Sequence, residues 1–324
     1  MIDEVLKELK SSKDYVSGQA ISEKLGISRT AVWKIIKKLI DKGYFIECAN
    51  KLGYKLIDST SVFSVDEIKN KLTVKSFKNN IFLFKEVDST NKLAKIKAEE
   101  GALDKSIYIA ETQTGGKGRL SKTWGSSDND GLYFSILLRP KTGLLEISKI
   151  TLITAVAVCT ALRNLHVDCK IKWPNDIVLN GKKVCGILTE MSVQSDTVDY
   201  IVIGIGINLN NKTFDEQLKN TATSIFIESG KINSKSSVVS NVLNEFNLHF
   251  EKFFSNKNSD EFIEIFNNMC VNINEKVIAI YKNNKITGIA LGINSKGELL
   301  IKNEDREFYI NSGEVSIRSE NLYK

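Results

Sequence analysis

A glycine-rich basic stretch is the strongest chemical signal in the sequence. It runs from Glu111 to Trp124 as ETQTGGKGRLSKTW, setting Gly115, Gly116 and Gly118 among Lys117, Arg119 and Lys122. Glycines let backbone N–H groups come close to a ligand, and the neighbouring cations suit an anion, above all a phosphate. The spacing is neither that of a Walker A loop nor that of a dinucleotide-binding fingerprint. A second stretch, Ile171 to Asp176 (IKWPND), crowds Lys172, Trp173, Asn175 and Asp176 around Pro174. A turn later, Gly181 to Glu190 (GKKVCGILTE) adds Lys183. Trp173 suits either a packed core or a site edge where its N–H finds a partner. A third stretch, Val87 to Asn91 (VDSTN), follows the apolar run IFLFKEV; taken alone, Asp88 or Ser89 would simply cap the helix that carries Leu93 and Ala94. The two histidines, His166 and His249, stand away from every glycine-rich segment, so the chemistry must rest on other groups.

These stretches need a scaffold, and the region from 63 to 268 supplies one. Apolar runs at Ile107–Ala110, Leu132–Leu138, Val184–Met191 and Tyr200–Asn208 predict strands. Helical spacing predicts helices over Leu93–Glu99, Ile150–Leu165 and Val238–Phe254. Strands and helices interleave, which predicts a mixed α/β domain. From 269 to 324 the pattern changes to short strands in KVIAI, ITGIALGI, ELLIKN, EFYI and EVSIR. Turns are expected at Asn283-Asn284, Asn294 to Gly297 and Ser312-Gly313. A small β-barrel of SH3-like type is the simplest closure.

Residues 1–62 predict a winged helix-turn-helix. Ala20, Ile21 and Leu25 make a short amphipathic helix that Gly26 breaks. Ser28 is the N-cap of a second helix with an apolar stripe of Val32, Ile35, Ile36, Leu39 and Ile40, and Gly43 ends it. YFIECANKLGYKLI follows as the wing. The first residues of such a second helix reach base edges in the major groove. Here Ser28, Arg29, Thr30 and Lys34 are the candidates. Between Ile21 and Lys42 six cations face two carboxylates, a local charge of +4 that suits phosphate contact. The whole chain is an α+β multidomain protein on this reading.

Composition sets outer bounds. The 324 residues carry a net charge of +6, which permits a nucleic-acid partner without demanding one. Five cysteines with no C-x-x-C pair argue against a disulfide framework or zinc site and favour a reducing cytoplasm. The start MIDEVLKELK lacks the apolar region of a signal peptide. The apolar run Leu152 to Leu162 is about half of the ~20 residues that cross a bilayer, so no membrane partner is expected.

Taken together, Ser89-Thr90-Asn91, Gln113, Gly116-Lys117-Gly118-Arg119, Lys172-Trp173-Pro174-Asn175-Asp176, Lys183 with Gly186, and Gly204 to Asn208 (GIGIN) resemble the biotin–protein ligase family in order and spacing. With the N-terminal helix-turn-helix and the C-terminal β-domain, the resemblance spans essentially the whole chain. It points to the bifunctional bacterial type, both ligase and biotin-operon repressor. One departure stands in the basic loop: Lys117 and Lys122 occupy positions that are often arginine in the family, and lysine lacks the bidentate fork.

The resemblance implies a catalytic domain like that of class II aminoacyl-tRNA synthetases. It implies formation of biotinyl-5′-AMP from biotin and ATP with Mg²⁺, then transfer of biotin to one lysine of a biotin carboxyl carrier protein. It assigns catalysis to Lys183 and Arg119. Biotin binding falls to Ser89, Thr90, Asn91, Gln113, Lys117, Gly118, Arg119 and Lys183. Nucleotide binding falls to Gly116, Lys117, Arg119, Trp124, Lys172, Asn175 and Asn208. Asp176 is either a metal ligand or the acceptor of a proton, Trp124 packs on the ligand or in the core, and Arg318 reaches toward ATP or the acceptor. The adenylate as corepressor would favour a homodimer on operator DNA. The alternatives are a ligase whose helix-turn-helix no longer regulates, a lipoyl- or octanoyl-type ligase, and a metabolite-sensing repressor without ligase activity.

Overall fold

Apolar spacing in the N-terminal region is realised as helices α1 (Ile2–Ser11), α2 (Gly18–Leu25) and α3 (Arg29–Asp41), followed by a hairpin of β1 (Phe45–Ala49) and β2 (Gly53–Asp58), and by α4 (Val65–Lys71). Gly26 takes a left-handed φ of 63°, which turns the chain between α2 and α3 at no side-chain cost. Ser28 caps α3 by accepting the Ala31 N–H at 3.1 Å, and Ser17 caps α2 in the same way. Val5, Leu9, Ile21, Val32, Ile36 and Leu39 bury together in one cluster. Each such side chain contributes roughly 1.5–3 kcal/mol on leaving water.

The computed structural model describes residues 1–12, 14–41, 44–49, 52–58, 63–126, 130–140, 147–194, 197–256, 259–281, 284–304, 306–311 and 315–319. Gly43, Asn283 and the Ser312-Gly313 pair, expected at a helix end and at turns, lie outside them. The chain divides into a unit of Met1–Asn70 with Ser234–Ser237, and a second of Lys71–Asn233 with Val238–Lys324.

The second unit begins with β3 (Ile81–Val87), α5 (Thr90–Glu99), β4 (Ser106–Gln113), β5 (Leu132–Leu138), α6 (Ile147–Arg163), β6 (Lys170–Lys172), β7 (Asp176–Leu179), β8 (Lys182–Gln194) and β9 (Thr197–Ile207). Next come α7 (Ile225–Ser229), α8 (Lys235–Asn256) and α9 (Ser259–Met269). One sheet of order β3-β4-β5-β9-β8-β7-β6 results, parallel between β3 and β4 and antiparallel elsewhere. It is the mixed sheet expected from the sequence. Among its strands, β3, β6 and β7 were not separately predicted. β6 and β7 span 3 and 4 residues, too few for a period to show. β3 is an edge strand with Phe82 exposed, so its alternation is blurred.

Helices cover both faces. Ala94 and Ala98 of α5 pack with Tyr108, Leu137, Tyr200 and Val202. On the other face α6 packs against β6, β7 and β8, and Thr151 donates to Thr189 at 2.8 Å. The C-terminal strands β10 (Lys276–Tyr281), β11 (Asn284–Ile293), β12 (Leu299–Lys302), β13 (Glu307–Ile310) and β14 (Val315–Ser319) form an antiparallel sheet of order β13-β12-β11-β10-β14. The turn at Asn294 to Gly297 forms as expected, with the Gly297 N–H donating to the Asn294 carbonyl at 2.9 Å. Trp173, 1% exposed, donates its ring N–H to the carbonyl of that Gly297, so it is a core residue at the seam with the C-terminal sheet. Among the described residues no helix is long and apolar enough to cross a membrane.

Candidate active site

The site is built on the register of three adjacent strands. Across β5, β9 and β8 the facing residues are Leu137–Val202–Glu190, then Ser135–Gly204–Leu188, then Tyr133–Gly206–Gly186. Directly opposed residues share a face, so these nine positions form one surface. The intervening Ile201, Ile203, Ile205 and Ile207 point to the other face and are buried there. Glycines leave bare backbone in the middle of this surface, and other groups descend onto it. A β-carbon on Gly204 would stand 2.2 Å from Asn91 Oδ1, and one on Gly206 would stand 2.8 Å from the Trp124 ring. One on Gly186 would meet the same ring at 2.8 Å and the Lys183 Nζ at 3.1 Å.

Above this floor lies a cavity of about 680 Å³. Ser89, Thr90 and Asn91 enter it from the start of α5. Asn91 shares a helix face with Ala94 and Ala98, whose small side chains let α5 approach the sheet closely. Ser89 both caps α5 and lines the cavity. The Thr90 N–H donates to Gln113 Oε1 at 2.8 Å, and Gln113 Nε2 donates to Ser126 Oγ at 3.3 Å.

The basic loop folds back on itself. Lys117 bridges to Thr123, the Gly118 N–H donates to the Lys122 carbonyl at 2.7 Å, and the Trp124 N–H donates to the Gly116 carbonyl at 2.9 Å. Lys117, Gly118, Arg119 and Trp124 therefore reach the cavity. Gly116 stands behind its wall, where a β-carbon would meet Ser126 Oγ and the Trp124 carbonyl at 2.7 Å.

Against the loop, the β6–β7 turn presents Lys172, Asn175 and Asp176. Lys172 and Asp176 face each other across the two strands. Asn175 donates to the Ile187 carbonyl at 2.9 Å and accepts from Arg119 Nη1 at 2.8 Å. Lys183 Nζ pairs with Asp176 Oδ1 at 2.6 Å and lies 5.3 Å from the centre of the Trp124 ring. Burial pulls the Arg119 guanidinium below its ordinary value, and the Asp176 carboxylate partly offsets this. Asn208, at the end of β9, donates to the Thr223 carbonyl at 3.0 Å and lines the same cavity. Arg119, Lys172 and Lys183 thus gather about Asn175 and Asp176, while Thr90 and Gln113 add uncharged polar groups to the same cavity, a combination that suits a ligand with both a polar and an anionic part. Neither histidine borders the cavity.

The chain matches family models along most of its length. Residues 83–208 match the biotin/lipoate A/B protein ligase family, residues 2–55 an HTH domain, and residues 273–318 the biotin protein ligase C terminal domain. It is 34% identical over 314 residues to the bifunctional ligase/repressor BirA of Bacillus subtilis, covering 95% of both chains. The chain belongs to the bifunctional ligase/repressor family. Similarity extends to BirA of Escherichia coli at 27% identity, covering 96% of this chain and 95% of that one. A solved biotin protein ligase from Aquifex aeolicus in complex with biotin and ATP superposes with a TM-score of 0.66 and 34% identity, over 75% of this chain and 100% of that one.

In this bifunctional ligase/repressor chain, Ser28, Arg29, Thr30 and Lys34 are all exposed at the start of α3. Trp33, which the sequence reading passed over, is 52% exposed on the same helix, with Lys37 Nζ 5.5 Å from its ring centre. Its position off the stripe of Val32, Ile35, Ile36 and Leu39 marks it as outward-facing; Ile40, expected in that stripe, is exposed instead. Ser126, Tyr133 and Ser135 were also missed in the catalytic unit. Ser135 had a signal: it is the one polar residue in the buried strand LYFSILL. Arg318 sits in β14 opposite Ile278, and its side chain lies outside the described residues.

Proposed function

We infer that the protein is a biotin–protein ligase that activates biotin with ATP and passes it to a biotin carboxyl carrier protein, and that it also represses transcription through its helix-turn-helix. The single observation that carries the catalytic half is the grouping of Lys183, Arg119 and Lys172 about Asp176 and Asn175 in the cavity that Thr90 and Gln113 also line. A carboxylate is ionised at pH 7 and needs no general base. The obstacle is repulsion between that anion and the α-phosphate it attacks. Fixed cations in a partly dry cavity lower this barrier as the P–O bond forms and pyrophosphate leaves. Lys183 is the principal cation. Asp176 holds it in place, which is a use of that carboxylate other than metal binding or proton acceptance. An Asp176 closed by Lys183 at 2.6 Å fits poorly as a Mg²⁺ ligand, so Mg²⁺ belongs in this reading to the ATP phosphates.

The remaining assignments follow the same lines. Ser89, Thr90, Asn91, Gln113, Lys117, Gly118, Arg119 and Lys183 surround biotin. Trp124, Lys172, Asn175 and Asn208 flank the nucleotide, with Gly116 shaping the loop from behind. Ser28, Arg29, Thr30 and Lys34 contact operator DNA, and the adenylate favours a homodimer on a two-fold site. We read the molecule as three domains, 1–62, 63–268 and 269–324, working in the cytoplasm. Helices on both faces of a largely antiparallel sheet support a class II synthetase-like centre. Short antiparallel strands, with an irregular register between Ala290 and Gly292, support an SH3-like C-terminal domain.

The test is biotin-dependent exchange of pyrophosphate into ATP. Wild-type protein should exchange, and Lys183→Ala should lose on the order of 10²–10³ in rate with its melting curve unchanged. No biotin-dependent exchange by wild type overturns the ligase reading, and normal exchange by the variant overturns the role of Lys183.

A further inference from the structure

We propose that Glu190, Asn91 and Ser135 form a relay that fixes the Thr90 hydroxyl as a hydrogen-bond acceptor toward the cavity, selecting an acid that carries an N–H donor. The proposal rests on the biotin-ligase reading and refines it: a cyclic urea offers such a donor, whereas an alkyl acid such as octanoate does not.

Glu190 is a carboxylate paired with Lys95 and can only accept. Asn91 Nδ2 donates to it at 2.8 Å and to the Leu188 carbonyl at 3.2 Å. Two pure acceptors therefore fix the Asn91 amide, and its Oδ1 must face Ser135. That oxygen cannot donate, so the 2.6 Å contact between them takes the only proton of Ser135. Thr90 Oγ1 lies 2.8 Å from Ser135 Oγ and 3.1 Å from Gln113 Oε1. Gln113 Oε1 already accepts the Thr90 N–H, so this amide too is oriented. Neither neighbour has a proton to give the Thr90 hydroxyl, so its single proton goes to one of them and only lone pairs remain for the cavity. Ser135 is fully buried, so water does not compete for its proton. Desolvated groups of fixed polarity reject ligands that leave them unpaired, more strongly than apolar walls reject a change in shape.

Ser135 is therefore a positioning residue acting through Thr90. The test measures KM for biotin and for ATP, and competition between biotin and octanoate, in the full-length protein. Ser135→Ala should raise the biotin KM about tenfold, the ratio carried by roughly one hydrogen bond, with the ATP KM unchanged. Its preference for biotin over octanoate should fall by a similar factor. Ser135→Cys, a weaker donor of nearly equal volume, should fall between. Thr90→Val should give the same split and stands in if the serine variant fails to fold. Adding Ser135→Ala to Thr90→Val should cost biotin nothing more. An unchanged biotin KM, full additivity in the double variant, or equal losses for biotin and octanoate would each overturn the relay. Failure of the ligase reading is separate, since wild type would then show no biotin turnover at all.

Discussion

Arg119 is held from two sides. Its Nη1 donates to Asn175, and its charge lies beside the Asp176 carboxylate. A reactive acyl-adenylate bound there meets a cation that these two contacts orient. Arg119→Gly should release that intermediate, seen as biotin appearing on bystander lysines of an added protein by mass spectrometry; strict labelling of the acceptor domain alone would refute the role. Arg119→Lys keeps the charge without the fork and should leak to an intermediate degree. Cations such as this one were legible in the sequence because residue type and local spacing carry their meaning. Ser135 was not, because its partners Thr90 and Asn91 lie more than forty residues away and meet it only through the packing of α5 on the sheet. A lone serine in an apolar run is a signal, yet the run itself does not say what stands over it.

At the level of elements, β9 shows how one strand serves two faces. Its isoleucines fill the interior on the α6 side, while Gly204 and Gly206 leave the other side open for Asn91 and Trp124. Ile205→Val should cost about 0.5–1.5 kcal/mol of stability and little activity. Gly206→Ala drives a methyl into the Trp124 ring and should depress pyrophosphate exchange far more than it lowers the melting temperature. Equal and modest effects of both variants would contradict this division of labour. The alternation of isoleucine with glycine in IVIGIGIN was visible beforehand, and so were β5, β8 and α6. The β6–β7 hairpin was not, because strands so short carry no period. Its motif nevertheless announced itself by composition.

At the scale of the whole molecule, the helix-turn-helix and the catalytic cavity belong to separate compact units. Arg29→Ala should therefore weaken binding to the protein's operator by about 1–3 kcal/mol in a gel-shift or anisotropy titration, while biotin-dependent pyrophosphate exchange stays at the wild-type rate. Parallel loss of both would show that Arg29 supports the fold rather than reading DNA. The three tryptophans fall one to each working part of the chain: Trp33 exposed on α3, Trp124 partly covered on the cavity floor under Lys183, and Trp173 buried at the seam with the C-terminal sheet. The protein thus carries its own set of optical reporters. Variants that keep a single indole would emit, in turn, from α3, from the cavity and from the buried seam with the C-terminal sheet, so that one fluorimeter could follow which event comes first when biotin, nucleotide and DNA are added in sequence.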